Sequence, residues 1–225
     1  MSKSYASELR DKISNSQTFD PKYYNPQYDD NQDHGTTHVS VVDANGMAVS
    51  LMSTVNLSFG AQFMDPVTGI ILNNEMDDFS TPQRQNAFGL KPSPNNFIVG
   101  KKRPQSSSSP LIIEKDGKVE LVIGGSGGSR IITACLQIVI EVLDYGKTIT
   151  EAVEQGRIHH QLFPNSVRCE STVEKSVIEA LQSRGHEIEM LPQGKWESAI
   201  QAIKREGNEY EAVSDPRKHG QAAGY

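Results

Sequence analysis

Between residues 36 and 55 apolar and polar side chains alternate with a period of two, in the run THVSVVDANGMAVSLMSTV. Alternation of this kind predicts strands, because successive side chains of a strand point to opposite faces. Asn45-Gly46 divides the run and predicts a hairpin. The 35 residues before it are polar, rich in Asp, Asn, Gln and Tyr, and interrupted by Pro21 and Pro26 after a short charged stretch. They read as a poorly ordered tail (1–35), with an ordered domain over 36–225.

Further along, GIILNN (69–74) predicts a short strand, and prolines scattered over residues 80–110 predict a long loop. LIIEKDGKVELVIGG (111–125) predicts a second hairpin about Asp116-Gly117. It runs through GGSGGS into RIITACLQIVIEVLDYG, an apolar helix of about five turns that is hydrophobic nearly all round and therefore expected to be buried. TEAVEQGRI predicts a short helix, and residues 173–183 another, opened by a Ser171-x-x-Glu174 capping box. EIEML, SAIQAIKR and YEAVSD then predict strands, the last two joined about Glu206-Gly207-Asn208.

The chain has 225 residues and a formal net charge of −6, which offers no basic footprint for nucleic acid. Its two cysteines, Cys135 and Cys169, are too few for a disulfide framework, and Cys135 in its apolar run reads as a buried thiol. No stretch approaches a membrane span or the apolar core of a secretory signal.

The first hairpin also bears on chemistry. A three-residue turn with Gly46 left-handed sets Thr36 opposite Thr54, whereas a two-residue turn sets Thr37 there, and the sequence leaves both open. By itself a cross-strand Thr-Thr pair only stabilises a sheet, by about 0.2–1 kcal/mol. Gly127 and Gly128 stand between a strand and a helix, where amides unpaired within the helix can face negative charge. No Gly-Lys-Ser/Thr follows, which argues against a phosphate loop. Asp29, Asp30, Asp33 and His34 show no metal-ligand spacing, and His159-His160, adjacent on an expected helix, do not face one side. No Gly-x-Ser-x-Gly elbow occurs.

Asp33-His34-Gly35-Thr36-Thr37-His38 resembles the self-cleavage junction of the γ-glutamyltransferases, which are N-terminal-nucleophile hydrolases. The likeness continues through Thr54 and Asn56, Asn73-Asn74-Glu75-Met76-Asp77-Asp78-Phe79, Pro94-Asn95-Asn96-Phe97, Ser106-Ser107 and Gly127-Gly128-Ser129. Arg157-Ile158-His159, Ser214-Asp215-Pro216-Arg217 and Gly224-Tyr225 complete it. The resemblance implies an α+β fold, the αββα sandwich of that superfamily, with only the small-subunit part present. It implies autocatalytic cleavage between Gly35 and Thr36, with Thr36 as nucleophile and its freed α-amino group as base. Thr54 would orient Thr36, and Gly127 and Gly128 would form the oxyanion hole. Asn56, Glu75, Asp78, Ser106 and Ser107 would bind the γ-glutamyl donor, glutathione, for transfer to water, an amino acid or a dipeptide. No cofactor or metal is implied. The large-subunit region, which packs on the small one and supplies an arginine to the donor carboxylate, is expected as a partner and absent here, so a non-catalytic fragment or a related amide acylase are the alternatives. Family members enter the secretory pathway, but this chain does not indicate its own compartment.

Overall fold

The computed structural model describes residues 2–25, 35–82 and 92–225. In chain order the elements are α1 (Lys3–Asp11), β1 (Thr36–Val42), β2 (Ala48–Thr54), β3 (Leu111–Lys115), β4 (Lys118–Ser126), α2 (Arg130–Leu143), α3 (Ile149–Glu154), β5 (Ile158–His159), β6 (Val167–Cys169), α4 (Lys175–Gln182), β7 (Ile188–Met190), β8 (Ala199–Glu206) and β9 (Glu209–Ser214). They form two compact units, Met1–Asp29 with Gly156–Lys195, and Asp30–Gln155 with Trp196–Tyr225.

The larger unit is layered. β1 and β2 make one antiparallel sheet, and β3-β4-β8-β9 make another. The hairpin lies against β4 and β8 of the second sheet, which also carries α2 and α3. Because β4 is covered from both sides, its residues Leu121 to Ser126 are all buried, and the sequence there is a continuous LVIGG run rather than an alternation. Leu121, Ile123, Ile200 and Ala202 form the core with Ile131, Ala134, Cys135, Ile138 and Val142 of α2 and with Ile149, Ala152 and Val153 of α3.

The first hairpin inverts the usual arrangement. Thr36 and His38 point inward and are buried, while Val39, Val41, Val49 and Leu51 point outward and are about half exposed. Burying a sheet's polar face and exposing its apolar one leaves a hydrophobic surface without cover among the described residues.

α2 is shorter and more one-sided than the sequence predicts. It spans 14 residues, and positions 131, 134, 135, 138 and 142 bury one stripe, while Ile132 and Leu136 stay half exposed. GIILNN forms no strand; an isolated bridge, Met64 to Ile71, and backbone bonds such as the Leu72 amide to the Phe63 carbonyl at 3.0 Å hold it instead. TEAVEQGRI is helical only to Glu154. A Cβ on Gly156 would lie 2.6 Å from the Val173 amide nitrogen, and beyond this close approach Ile158 and His159 pair as a strand with β6. His159 is thus on a strand and not on the expected helix. α4 starts two residues later than the spacing suggests, and Glu174 caps it without a side-chain bond. The capping box sits instead at α3, where Thr148 and Glu151 satisfy each other's backbone N–H groups at 3.2 and 3.0 Å.

The smaller unit holds β5-β6-β7, with β6 and β7 parallel. The first 25 residues, expected as a tail, contain α1, capped by Ser2, and a stacked cluster of Phe19, Tyr23 and Tyr24. The Thr18 amide donates to the Arg184 carbonyl at 2.8 Å, and Arg184 Nε donates to the Asn15 carbonyl at 2.9 Å. Asp29, Asp30, Asp33 and His34 lie outside the described residues.

Candidate active site

Thr36 opens β1 and pairs with Thr54 at the end of β2. The three-residue turn sets this register: the Asp43 amide donates to the Met47 carbonyl at 2.9 Å, Asp43 Oδ1 accepts from the Asn45 and Met47 amides, and Gly46 is left-handed at φ 81°. The Thr36 hydroxyl donates to Thr54 Oγ1 at 2.9 Å. The Thr54 hydroxyl donates to the Gly35 carbonyl at 3.3 Å, and its oxygen also accepts from the Asn56 amide at 2.9 Å. The Gly35 carbonyl takes a second donor, the Val55 amide, at 3.0 Å. Two donors on one carbonyl stabilise negative charge on its oxygen, and this carbonyl belongs to the bond that precedes the Thr36 nitrogen.

Gly35 has no room for a side chain. A Cβ there would lie 2.2 Å from the Leu57 carbonyl oxygen, because the Gly35 amide is drawn onto the Asn56 carbonyl. Asn56 is buried and left-handed at φ 70°. Its amide group donates to the Asn74 carbonyl at 3.1 Å, and Asn74 Oδ1 accepts from the Leu57 amide at 3.0 Å. Asn73 Oδ1 in turn accepts from the Glu75 amide at 3.0 Å. These asparagine bonds stitch the acidic turn Glu75–Asp78 to the end of β2. Two buried acceptors at this junction, Asn56 Oδ1 and Glu75 Oε2, have no hydrogen-bond donor. Buried polar atoms are seldom left so, and two acceptors, one on a carboxylate, fit a cationic ligand that donates.

Asp78 is buried, and its carbonyl accepts from Asn96 Nδ2 at 2.7 Å. Asn96 Oδ1 accepts from the Gln105 amide at 2.9 Å, which leads the chain from the acidic turn into the serine run. Ser106 is exposed and Ser107 half-buried.

Gly127 and Gly128 follow β4 with φ 132° and 61°, and the Gly127 Cα packs so closely on the Glu197 carbonyl that a Cβ would lie 2.2 Å from its oxygen. Arg130, buried in the first turn of α2, pairs with Glu197 at 2.8 Å. The bend is linked to Thr36 by Lys218, whose ammonium donates to the Thr36 carbonyl at 2.6 Å and to Ser126 Oγ at 3.2 Å. Burial holds the Lys218 pKa below the ordinary lysine value. Fully buried Asp215 fixes the turn that carries Lys218, accepting from the Ile200 amide at 2.9 Å and the Arg217 amide at 3.0 Å. Arg217 caps the final carbonyls of α3, Val153 and Gln155, at 2.8 Å each.

Gly35, Thr36, Thr54 and Asn56 thus form one hydrogen-bonded group, with Glu75 joined through the asparagines, Asp78 and the serine run through Asn96, and Gly127-Gly128 through Lys218. Sequence reasoning passed over Lys218, Ser126 and His38. The signal for His38 was legible, since Thr36, His38 and Ser40 place polar side chains at three of the four inward positions of β1. Among the described residues no group of three His, Cys, Asp or Glu side chains is disposed to hold a metal ion.

A hairpin layered on a second sheet, itself backed by helices, is the α+β architecture of the N-terminal-nucleophile hydrolase fold. The sequence profile of gamma-glutamyltranspeptidase matches residues 1–225, and the chain belongs to that family. It is 50% identical over 225 residues to glutathione hydrolase proenzyme 1 of Schizosaccharomyces pombe, and 51% identical over 227 residues to proenzyme 2 of the same organism. All of this chain is matched, but it spans only 36% and 37% of those proteins. The structure of a gamma-glutamyltranspeptidase from Pseudomonas nitroreducens complexed with L-DON superposes with a TM-score of 0.75 at 39% identity, covering 84% of this chain and 99% of that one.

Proposed function

We propose that this chain is the catalytic part of a γ-glutamyl hydrolase and transferase that releases its own nucleophile by cutting between Gly35 and Thr36. The supporting observation is the arrangement of three groups: the Thr36 hydroxyl donates to Thr54, whose own proton goes to the Gly35 carbonyl. Thr36 Oγ1 attacks the Gly35 carbonyl carbon, with Thr54 and the Val55 amide stabilising the oxygen. The hydroxyl proton passes to the departing Thr36 nitrogen, and water hydrolyses the resulting ester. The freed α-amino group, with an ordinary pKa of about 7.7–8.0, then acts as base for the hydroxyl beside it.

In turnover Thr36 attacks the γ-glutamyl carbonyl, and the proton taken by its amine goes to the leaving amine. Gly127 and Gly128 amides face the oxyanion, and water or an acceptor amine resolves the acyl-enzyme. The unpartnered acceptors of Asn56 and Glu75 suit the donor's α-ammonium, with Asp78 beside them and Ser106 and Ser107 toward its α-carboxylate. Glutathione is the natural donor of this class, as the names of the fission-yeast relatives state for those proteins. The exposed Val39, Val41, Val49 and Leu51 give an apolar face on which a large-subunit region would pack. That face, with the 36% coverage, also favours a second reading in which the chain is inactive until this region is supplied. Comparing a γ-glutamyl anilide with a plain acyl anilide tests the assignment: selective turnover of the γ-glutamyl compound is expected, with the large-subunit region of a relative added in trans. Preference for the plain acyl compound indicates an amide acylase instead.

A further inference from the structure

The hairpin that carries Thr36 shares no strand pairing with the sheet that carries the Gly127-Gly128 bend, so something else must fix one relative to the other. Buried His38 lies where the two meet. Its Nε2 is 3.1 Å from Ser40 Oγ and 3.4 Å from Ser50 Oγ, and these serines are direct cross-strand partners. Each serine proton is already committed to the other sheet. Ser40 donates to the Gln201 carbonyl of β8 at 3.2 Å, and Ser50 to the Ile123 carbonyl of β4 at 3.1 Å. With both hydroxyl protons used, the serine oxygens can only accept, so Nε2 carries the imidazole proton and Nδ1 is the bare nitrogen. Nδ1 has no partner. The ring is neutral, because burial lowers its pKa to about 4 and the cavity it lines, about 230 Å³, presents only uncharged side chains such as Ser40, Gln201, Ser214 and Gln221.

Steric fit completes the link. A Cβ on Gly124 would fall 2.2 Å from His38 Cε1, so the ring occupies the space that this glycine leaves open in β4. His38 is two residues from Thr36, and Gly124 is three residues from Gly127. We infer that His38, as its Nε2–H tautomer seated on Gly124 and bonded through Ser40 and Ser50 to β8 and β4, is a positioning residue that holds Thr36 at its working distance from the Gly127-Gly128 bend. This rests on the proposed hydrolase reading for its consequence, not for its geometry.

Imidazole nitrogen NMR on the intact chain reads the tautomer directly. The expected result is a His38 ring with a proton on Nε2, bare at Nδ1, and neutral down to pH 5; a proton on Nδ1, or titration near the ordinary histidine value, overturns the inference. Two isosteres then separate positioning from mere filling. Glutamine returns an N–H donor at the ε position and asparagine does not, so in H38N amide exchange over β1 and β2 should accelerate about tenfold or more while β8 and β9 stay protected, and H38Q should restore most of it. The rate of chain cleavage before Thr36 should follow the same order, with Gly124→Ala slowed like H38N. In turnover kcat should fall with KM little changed. Equal behaviour of H38N, H38Q and the parent in exchange overturns the inference even if the parent self-cleaves. A parent that stays uncut even with the large-subunit region of a relative supplied sinks the hydrolase reading, and exchange and tautomer then decide this one.

Discussion

Thr36 and Thr54 face each other across the last rung of the β1–β2 hairpin, hydroxyl to hydroxyl at 2.9 Å, and the Thr54 proton lies on the carbonyl of the preceding residue, Gly35. One side chain therefore holds the Thr36 hydroxyl and donates to the carbonyl that the proposed self-cleavage would attack. Thr54→Ala removes both functions and one oxyanion donor. Self-cleavage, followed by intact mass over time, should slow by about 100-fold or more, whereas Thr54→Ser should stay near the parent rate.

The unpartnered Asn56 Oδ1 and Glu75 Oε2 predict a different signature. A hydrogen bond to a charged group contributes about 1.5–3 kcal/mol, so Glu75→Gln should raise KM for a γ-glutamyl anilide by roughly 10- to 100-fold. Removing the α-amino group from the donor should cost the parent as much and the variant little further. A variant that binds the donor normally removes Glu75 from the pocket.

Acid stability follows from His38. Its folded pKa, about 4, lies below the ordinary 6.5, so between those values the unfolded chain binds the proton and the folded chain does not. The contribution is fully present above about pH 6.5 and is lost as pH falls toward 4. Urea midpoints between pH 7 and 4 should fall more steeply for the parent than for H38Q, which has no group titrating there; parallel curves contradict the burial of a neutral ring.

Asp215 accepts two backbone amides and pairs with Arg217 at 3.2 Å while fully buried. Asp215→Ala leaves the Ile200 and Arg217 amides and the guanidinium under-partnered, and should cost about 3–5 kcal/mol in urea unfolding. It should also release the turn that places Lys218 on Thr36, so that cleavage falls further than stability alone explains in conditions where the variant is folded.

The strong local signals in the sequence carried most of the larger unit. Alternation and turn chemistry predicted all three hairpins, and the three-residue turn at Asn45-Gly46, one of two registers left open, is the one adopted. What failed lay where tertiary contact overrides spacing. Ser171-x-x-Glu174 has the form of a capping box, yet the reciprocal bonds form at Thr148 and Glu151. Ile158 and His159 continue a helical run in sequence but pair with β6 once Gly156 brings the chain against Val173. Glu75 and the serine run were singled out by resemblance, since nothing in an acidic turn or four serines distinguishes a pocket from a solvated loop. Lys218 escaped notice because its partners, Thr36 and Ser126, lie 182 and 92 residues away.

Intact mass of the purified chain, read over hours at neutral pH, tests the central claim most directly. The account predicts a cut before Thr36, yielding a fragment that begins with a free threonine, and no such cut in Thr36→Ala. A parent chain that stays whole, also when the large-subunit region of a relative is supplied, or a Thr36→Ala chain that splits at the same bond, contradicts it.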